Sequence, residues 1–270
     1  MRSDRESQPT KLEPYLRFRT SVMSAGDDLL CPSPPGDQVA LNTCTALAIY
    51  NDHSSHPLDG FSKKIKTVEI CGREYNLRQR WASNGVAGVV WDAAIVLSEY
   101  ICGQPELITG KCILELGAGT GLPSIVAVKL GALSVTSTDL PSTIPLLKRN
   151  ILLNLESDQL SKVDIRELVW GRSNTAALMD QPPSRAFDLV IGADVVYNEE
   201  VFDDLLQTLL TVVEMSKEKG VSTKIILSMR IRYDRDERFL NMLKKSFSVV
   251  DEIHFDDKRD IHVYVCESLK

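Results

Sequence analysis

The stretch ILELGAGTGLPS, Ile113 to Ser124, decides how the rest of the chain is read. An apolar run, Ile113 and Leu114, ends in an acid at Glu115. Glycines then fall at alternating positions, Gly117, Gly119 and Gly121, before the apolar pattern resumes. A strand, a glycine turn and a helix start in that order aim backbone N–H groups and the positive end of the helix dipole at a ligand outside the carboxyl edge of a sheet. A dinucleotide fingerprint would set its glycines at 117, 119 and 122, but residue 122 is Leu and the third glycine comes one step early. A nicotinamide oxidoreductase is therefore disfavoured.

Outward from this loop, strands and helices alternate. The periodicity predicts strands at about 112–116, 133–138, 163–168, 187–192, 223–229, 248–254 and 261–266, with helices at about 122–130, 142–155, 199–217 and 235–246. Such alternation implies parallel strands joined by right-handed crossovers, an α/β Rossmann-like sheet of seven strands. Its last two strands share only the short connection DDKRD and should pair antiparallel. Upstream, IKTVEI and EYNLRQ flank Cys71, Gly72 and Arg73 and read as a β-hairpin. VVWDAAIVLSEYICG then reads as a helix with Gly103 as its C-cap. Residues 1–58 mix Ser, Pro, Asp and Gly without sustained period and are expected to form a mostly disordered extension before one domain at 59–270.

The formal charge of −6 and the lack of any long basic block speak against nucleic acid as a partner. No secretory h-region and no run of eighteen apolar residues occurs, so neither a membrane span nor export is expected, and the reading is cytoplasmic. Six cysteines (Cys31, Cys44, Cys71, Cys102, Cys112, Cys266) form no C-x-x-C pair and read as free thiols in a reducing compartment. His53 and His56 lack a second half with metal-ligand spacing, so no metal is expected. Nothing demands more than a monomer.

Two further stretches belong with the glycine loop. TSTDLP ends a strand at Asp139, eighteen residues after Gly121, where a carboxylate can accept both hydroxyls of a ribose. FDLVIGADVVYNEE is a buried strand that runs out at Ala193 and then presents Asp194 and Tyr197 at the same edge, where an acceptor would sit. On composition alone Trp91 and Trp170 read as core packing. If the acceptor is a lysine, presenting it neutral at pH 7 spans about 3.4 pKa units, roughly 4.6 kcal/mol. A nearby carboxylate would bind the ammonium form, whereas desolvation and an adjacent positive charge would favour proton loss.

E-x-G-x-G-x-G at a strand end looks like the S-adenosylmethionine loop of seven-strand, class I methyltransferases. More specifically, GVAGVVWDAAIVLSEYI, ELGAGTGLPSIVA, LVWG, FDLVIGADVVYNEEVFDDLLQTL and RIRYDRDERFLNML through DIHVYV resemble the protein-lysine methyltransferases of methyltransferase family 16 over residues 58–267. The resemblance implies cofactor contacts at Trp91, Gly117, Ala118, Gly119, Asp139, Trp170 and Ala193, with Glu115 opening the loop motif, and so reverses the composition-only view of both tryptophans. It maps a D-x-x-Y signature for acceptor lysine handling onto Asp194 and Tyr197. Pro123 departs from the pattern but is tolerated in the first turn of a helix. MRIRYDRDERF resembles the branch that methylates Hsp70 chaperones, and Arg230, Arg232 and Tyr233 within it are expected to contact the protein substrate. Bottom-up, the same stretch reads as a solvated helix start with local ion pairs. Competing expectations are a lysine methyltransferase of another ATPase, such as valosin-containing protein, or of an elongation factor, and a non-catalytic module that docks a chaperone.

Overall fold

The computed structural model describes residues 63–181, 185–256 and 258–269. The extension expected at 1–58, with His53, His56, Cys31 and Cys44, lies outside them. Nine strands form two sheets: β1 (Ile65–Ile70) and β2 (Arg73–Arg78) pair antiparallel as a hairpin, and seven strands build the main sheet. These are β3 (Cys112–Leu116), β4 (Ser134–Asp139), β5 (Val163–Glu167), β6 (Leu189–Ala193), β7 (Lys224–Met229), β8 (Phe247–Asp256) and β9 (Ile261–Ser268). Their order is β5-β4-β3-β6-β7-β9-β8, parallel except that β9 runs antiparallel to both neighbours. The chain builds outward from β3 to β5, then returns to the other side of β3 with β6. The switch point, where α/β folds open a crevice, therefore lies between the carboxyl ends of β3 and β6.

Among the described residues, six helices of eight residues or more cover the faces: α1 (Asp92–Gly103), α2 (Leu122–Lys129), α3 (Ile144–Asn154), α4 (Arg172–Asp180), α5 (Phe202–Glu218) and α6 (Asp234–Ser246). The hairpin, α1, α2 and α3 pack one face, while α4, α5 and α6 pack the other. α2 is buried on every side from Leu122 to Val128, which explains its nearly unbroken apolar sequence; its Pro123 lies in the first turn, where a missing N–H costs no helix bond. α5 is amphipathic and opens with Asp203 and Asp204 and ends with Lys217, each matched to the dipole at its end. α4 was not anticipated: its polar sequence buries only Thr175, Leu178 and Met179, too narrow a stripe to stand out.

Two asparagines one turn apart on α3 act as a substitute strand for the free edge of β2. Asn150 accepts from Arg78 N–H at 2.8 Å and donates to Arg78 O at 3.1 Å; Asn154 does the same for Asn76, at 3.0 Å each way. Asn150 also donates to Thr120 O at 3.0 Å, so the hairpin and the glycine loop are fixed to a single side chain. The hairpin turns through Cys71 and Gly72, both at positive φ (54° and 66°), as a two-residue turn requires. The reading of all cysteines as free thiols is corrected here. Cys71 is joined to Cys102 near the end of α1, with Cα atoms 6.2 Å apart, leaving Cys112 and Cys266 free among the described residues. A separation of 31 residues without a C-x-x-C pattern gave the sequence no sign of that pairing.

Candidate active site

At the switch point the structure opens a cavity of about 610 Å³. Its floor is the glycine loop. Gly117 and Gly119 have φ of 61° and 54°, and a Cβ on Gly117 would come within 3.0 Å of Val195 Cγ1 and 3.4 Å of Trp170 Cζ2. On Gly119 it would approach Ala87 O to 3.2 Å. Bare backbone is therefore demanded both by conformation and by space. The loop is tied to β4 by Ala118 N–H donating to Thr138 O (3.0 Å) and Thr138 Oγ1 donating to Glu115 O (2.6 Å).

Asp139 closes β4 with one carboxylate oxygen accepting from Gly119 N–H and the other from Leu140 N–H, each at 2.7 Å. Burial raises its pKa, and these two bonds oppose the rise. Glu115 lines the cavity too, but its side chain turns inward. Oε2 accepts from Ser124 N–H at 3.1 Å and from Ser124 Oγ, and Ser137 Oγ lies at 3.4 Å. Glu115 thus joins the end of β3 to the first turn of α2. Burial pushes its carboxyl up to about 8 despite those hydrogen bonds, with Asp139 adding to the rise.

The roof is Asn84 to Val89, between the hairpin and α1, most of which the sequence reading quoted as part of the family resemblance without assigning it a role. Trp91 Nε1 donates to Val86 O at 2.7 Å, Asn84 Nδ2 donates to Ser142 O at 2.9 Å, and Arg80 N–H donates to Gly88 O at 2.7 Å. A Cβ on Gly88 would meet Arg80 O at 2.4 Å. The two glycines of NGVAG were the available signal. Trp91 and Trp170 both line the cavity, Trp170 5 % exposed, beside Ala193.

Asp194 and Tyr197 stand on the far wall. Asp194 holds a left-handed φ of 52°, rare for a residue with a side chain, and its N–H donates to Ser228 O at 2.8 Å. Its carboxylate takes both arms of the Arg232 guanidinium, Nη1 to Oδ1 at 2.9 Å and Nη2 to Oδ2 at 2.8 Å. Only 7 % of the Asp194 side chain and 13 % of the Arg232 side chain are exposed. Burial, with Asp139 nearby, pushes the Tyr197 hydroxyl well above its ordinary value, so it stays protonated.

A helix does start within RIRYDRDER, at Asp234, but the reading of that start as solvated needs correction. Asp236 is 1 % exposed, and its Oδ2 accepts from the N–H groups of Arg232 (2.9 Å) and Tyr233 (3.2 Å), bending the segment after β7 over the cavity. Arg232 and Tyr233 line the cavity together with Arg235 and Asp236, which the sequence reading did not single out. Arg232 is turned inward onto Asp194 rather than outward. Arg230 is not brought to the cavity; it reaches Asp260 at 3.5 Å, beside a cluster of His254, Asp260 and His262 on the β8–β9 hairpin.

Comparison with known proteins then decides the assignment. Residues 72–246 match the family model described as Lysine methyltransferase, methyltransferase family 16. The chain belongs to this family. Among similar proteins, the protein N-lysine methyltransferases METTL21A of Danio rerio and Mus musculus are each 41 % identical over 220 residues, covering 81 % of this chain and 94 % of theirs. EEF1A lysine methyltransferase 3 of Xenopus tropicalis is 32 % identical over 197 residues, covering 72 % of this chain and 81 % of its own length. A solved structure from Streptococcus mutans described as a SAM-dependent methyltransferase superposes with a TM-score of 0.50 at 14 % identity. It shares the fold over 76 % of this chain and 56 % of that one. This chain is thus a protein-lysine methyltransferase on a class I methyltransferase fold.

Proposed function

We propose that this chain methylates a lysine of an Hsp70-type chaperone in the cytoplasm, acting as a monomer. The observation that carries the reading is spatial. Gly119 of the glycine cradle and Asp194, 75 residues apart, border one cavity together with Tyr197. The preference for the chaperone branch rests on the MRIRYDRDERF resemblance and on the longer match to METTL21A, 41 % over 220 residues, against 32 % over 197 and 40 % over 154 residues for two EEF1A enzymes.

The site fits S-adenosylmethionine. The glycine cradle would be filled by a single Cβ, two tryptophans offer apolar faces, and the loop Gly117–Gly121 carries no cation of the kind a phosphate would call for. Gly117, Ala118 and Gly119 would hold the cofactor's amino-acid portion, Asp139 its ribose, and Trp91, Trp170 and Ala193 its remaining surface. When bound, the cofactor supplies a methyl group on a cationic sulfur that leaves as a neutral thioether, so the protein needs no strong acid. The chain's own work is to admit a lysine side chain past Tyr233 and Tyr197, exclude water, and align its nitrogen. Glu115 supports the floor from behind, as the bracket between β3 and α2.

The test is incubation of the purified protein with labelled S-adenosylmethionine, recombinant Hsp70 and cytosolic extract, with Asp194→Ala as control. An Asp194-dependent label on an Hsp70 lysine is expected. Label on an elongation factor or another ATPase instead would replace the substrate. No label on any protein, with cofactor binding intact, would make the chain a docking module.

A further inference from the structure

The buried ion pair between Asp194 and Arg232 changes what Asp194 can do to an acceptor. A lone carboxylate at the cavity wall would hold an incoming lysine as an ammonium ion, the unreactive form. Here each carboxylate oxygen already accepts one guanidinium N–H, at 2.9 and 2.8 Å, and each keeps a second lone pair. The pair therefore offers acceptor geometry with almost no net charge.

We propose that Arg232 is a positioning residue that stays on Asp194 during turnover, so that the carboxylate orients the acceptor nitrogen without stabilising its proton. The proton leaves the ammonium for bulk water, and the lone pair so freed points into the cavity. This inference rests on the lysine methylation reading above. The geometry that carries it is the parallel fork, its low exposure, and its anchoring from both sides: Asp194 N–H on Ser228 O, and Arg232 N–H on Asp236 Oδ2 at 2.9 Å. With both backbones fixed, the guanidinium is held in place by its own two bonds to the carboxylate and by its low exposure.

Other charges facing this wall do not substitute for Arg232. From α6, Arg235 approaches Asp236 Oδ1 at 3.5 Å, and Tyr233 adds a phenol. From the turn before α5, Glu199 is paired with Arg238, and Glu200 and Tyr197 line the same side. Glu115 of β3 and Asp139 of β4 lie on the cofactor side and are the same in every variant below. A difference in pH profile between variants at position 232 therefore isolates the guanidinium.

The experiment is kcat against pH, from 6.5 to 9.5, for wild type, Arg232→Gln and Arg232→Lys on the substrate the wild type labels. Calorimetric cofactor affinity and Tm are measured on each. In Arg232→Gln the bare Asp194 charge should move the rising limb of kcat up by about one to three pH units. The KM for acceptor should be unchanged or lower, and cofactor affinity retained. Arg232→Lys should restore much of the profile. An unshifted limb with a uniform loss of kcat would reduce Arg232 to structural support, and a raised KM with an unshifted limb would make it a substrate contact. Either result overturns the inference and leaves lysine methylation standing. A wild type that labels no lysine overturns both.

Discussion

The two walls of the cavity are built to different standards of completeness. On the cofactor side, the carboxylates of Asp139 and Glu115 and the hydroxyls of Ser124, Ser137 and Thr138 all have hydrogen-bond partners within the fold. On the acceptor side, around the end of β7 and the start of α6, the described residues leave Ser228 Oγ and Tyr233 Oη buried without a hydrogen-bond partner, while Arg235 Nε and Asp236 Oδ1 meet only each other, as an ion pair at 3.5 Å. All four fall within nine residues. An unmet buried polar atom costs about 1–3 kcal/mol, and native folds seldom tolerate several in one place without use for them. The cofactor half is closed by the fold's own hydrogen bonds, whereas the acceptor half holds polar atoms that no hydrogen bond meets.

The largest effect should come from Asp194→Asn. Transfer should fall by about 100-fold or more, with cofactor affinity within about 2-fold, because the acceptor half alone is damaged. Since Asn leaves the Arg232 charge buried without its counter-ion, stability should drop by about 3 kcal/mol. The double variant Asp194→Asn/Arg232→Gln removes both charges and should recover much of the Tm while remaining inactive. Normal turnover in either would remove Asp194 from the reaction. Asp139→Ala should do the converse. Losing the bonds to Gly119 and Leu140 as well as to the ribose, it should weaken cofactor binding by about 1.5–3 kcal/mol by calorimetry, roughly 10- to 150-fold. An unchanged Kd would show that the cofactor half does not depend on that carboxylate.

Tyr233→Phe tests the incomplete half directly, and its effect is smaller. With no partner for Oη in the free protein, its removal should leave Tm unchanged or raise it, by up to about 1 kcal/mol of stability. KM for the protein substrate should rise a few-fold. A lowered Tm with unaltered KM would mean that the hydroxyl serves the fold and not the acceptor.

The same asymmetry governs what could be read from the amino acids. The cofactor half is local: a strand, three glycines and a strand-end acid appear within 27 residues, and glycine's unique access to positive φ makes the pattern legible. The parallel strands and the antiparallel pairing of β8 with β9 followed from alternation and from one short connection, while the strand order was not read. The acceptor half is assembled across distance. Arg232 meets Asp194 over 38 positions, and nothing in RIRYDRDER distinguishes a buried Asp236 from a solvated one. Its charges had the composition of a surface helix, and only the bend after β7 turned part of it inward. The role of the roof at Asn84–Val89 and the Cys71–Cys102 pairing were hidden for the same reason.

Glu115 offers the finest test, because it asks whether completeness on the cofactor side is bought with a proton. Its carboxyl, ordinarily near 4.5, is raised to about 8 in the fold. Between those values the folded chain holds a proton that the unfolded chain has released, so stability falls with rising pH across that window. The contribution is full below about 4.5 and gone above about 8. Asp139 is shifted in the same direction and adds to the slope. Glu115→Gln keeps an oxygen for Ser124 and has nothing to titrate, so its Tm should decline less than that of wild type between pH 5.5 and 8.5. The residual slope is then assigned to Asp139 and the rest of the chain. Equal slopes in the two proteins would mean that Glu115 is ionised in the fold at neutral pH. The bracket between β3 and α2 would then be a charged acceptor for Ser124.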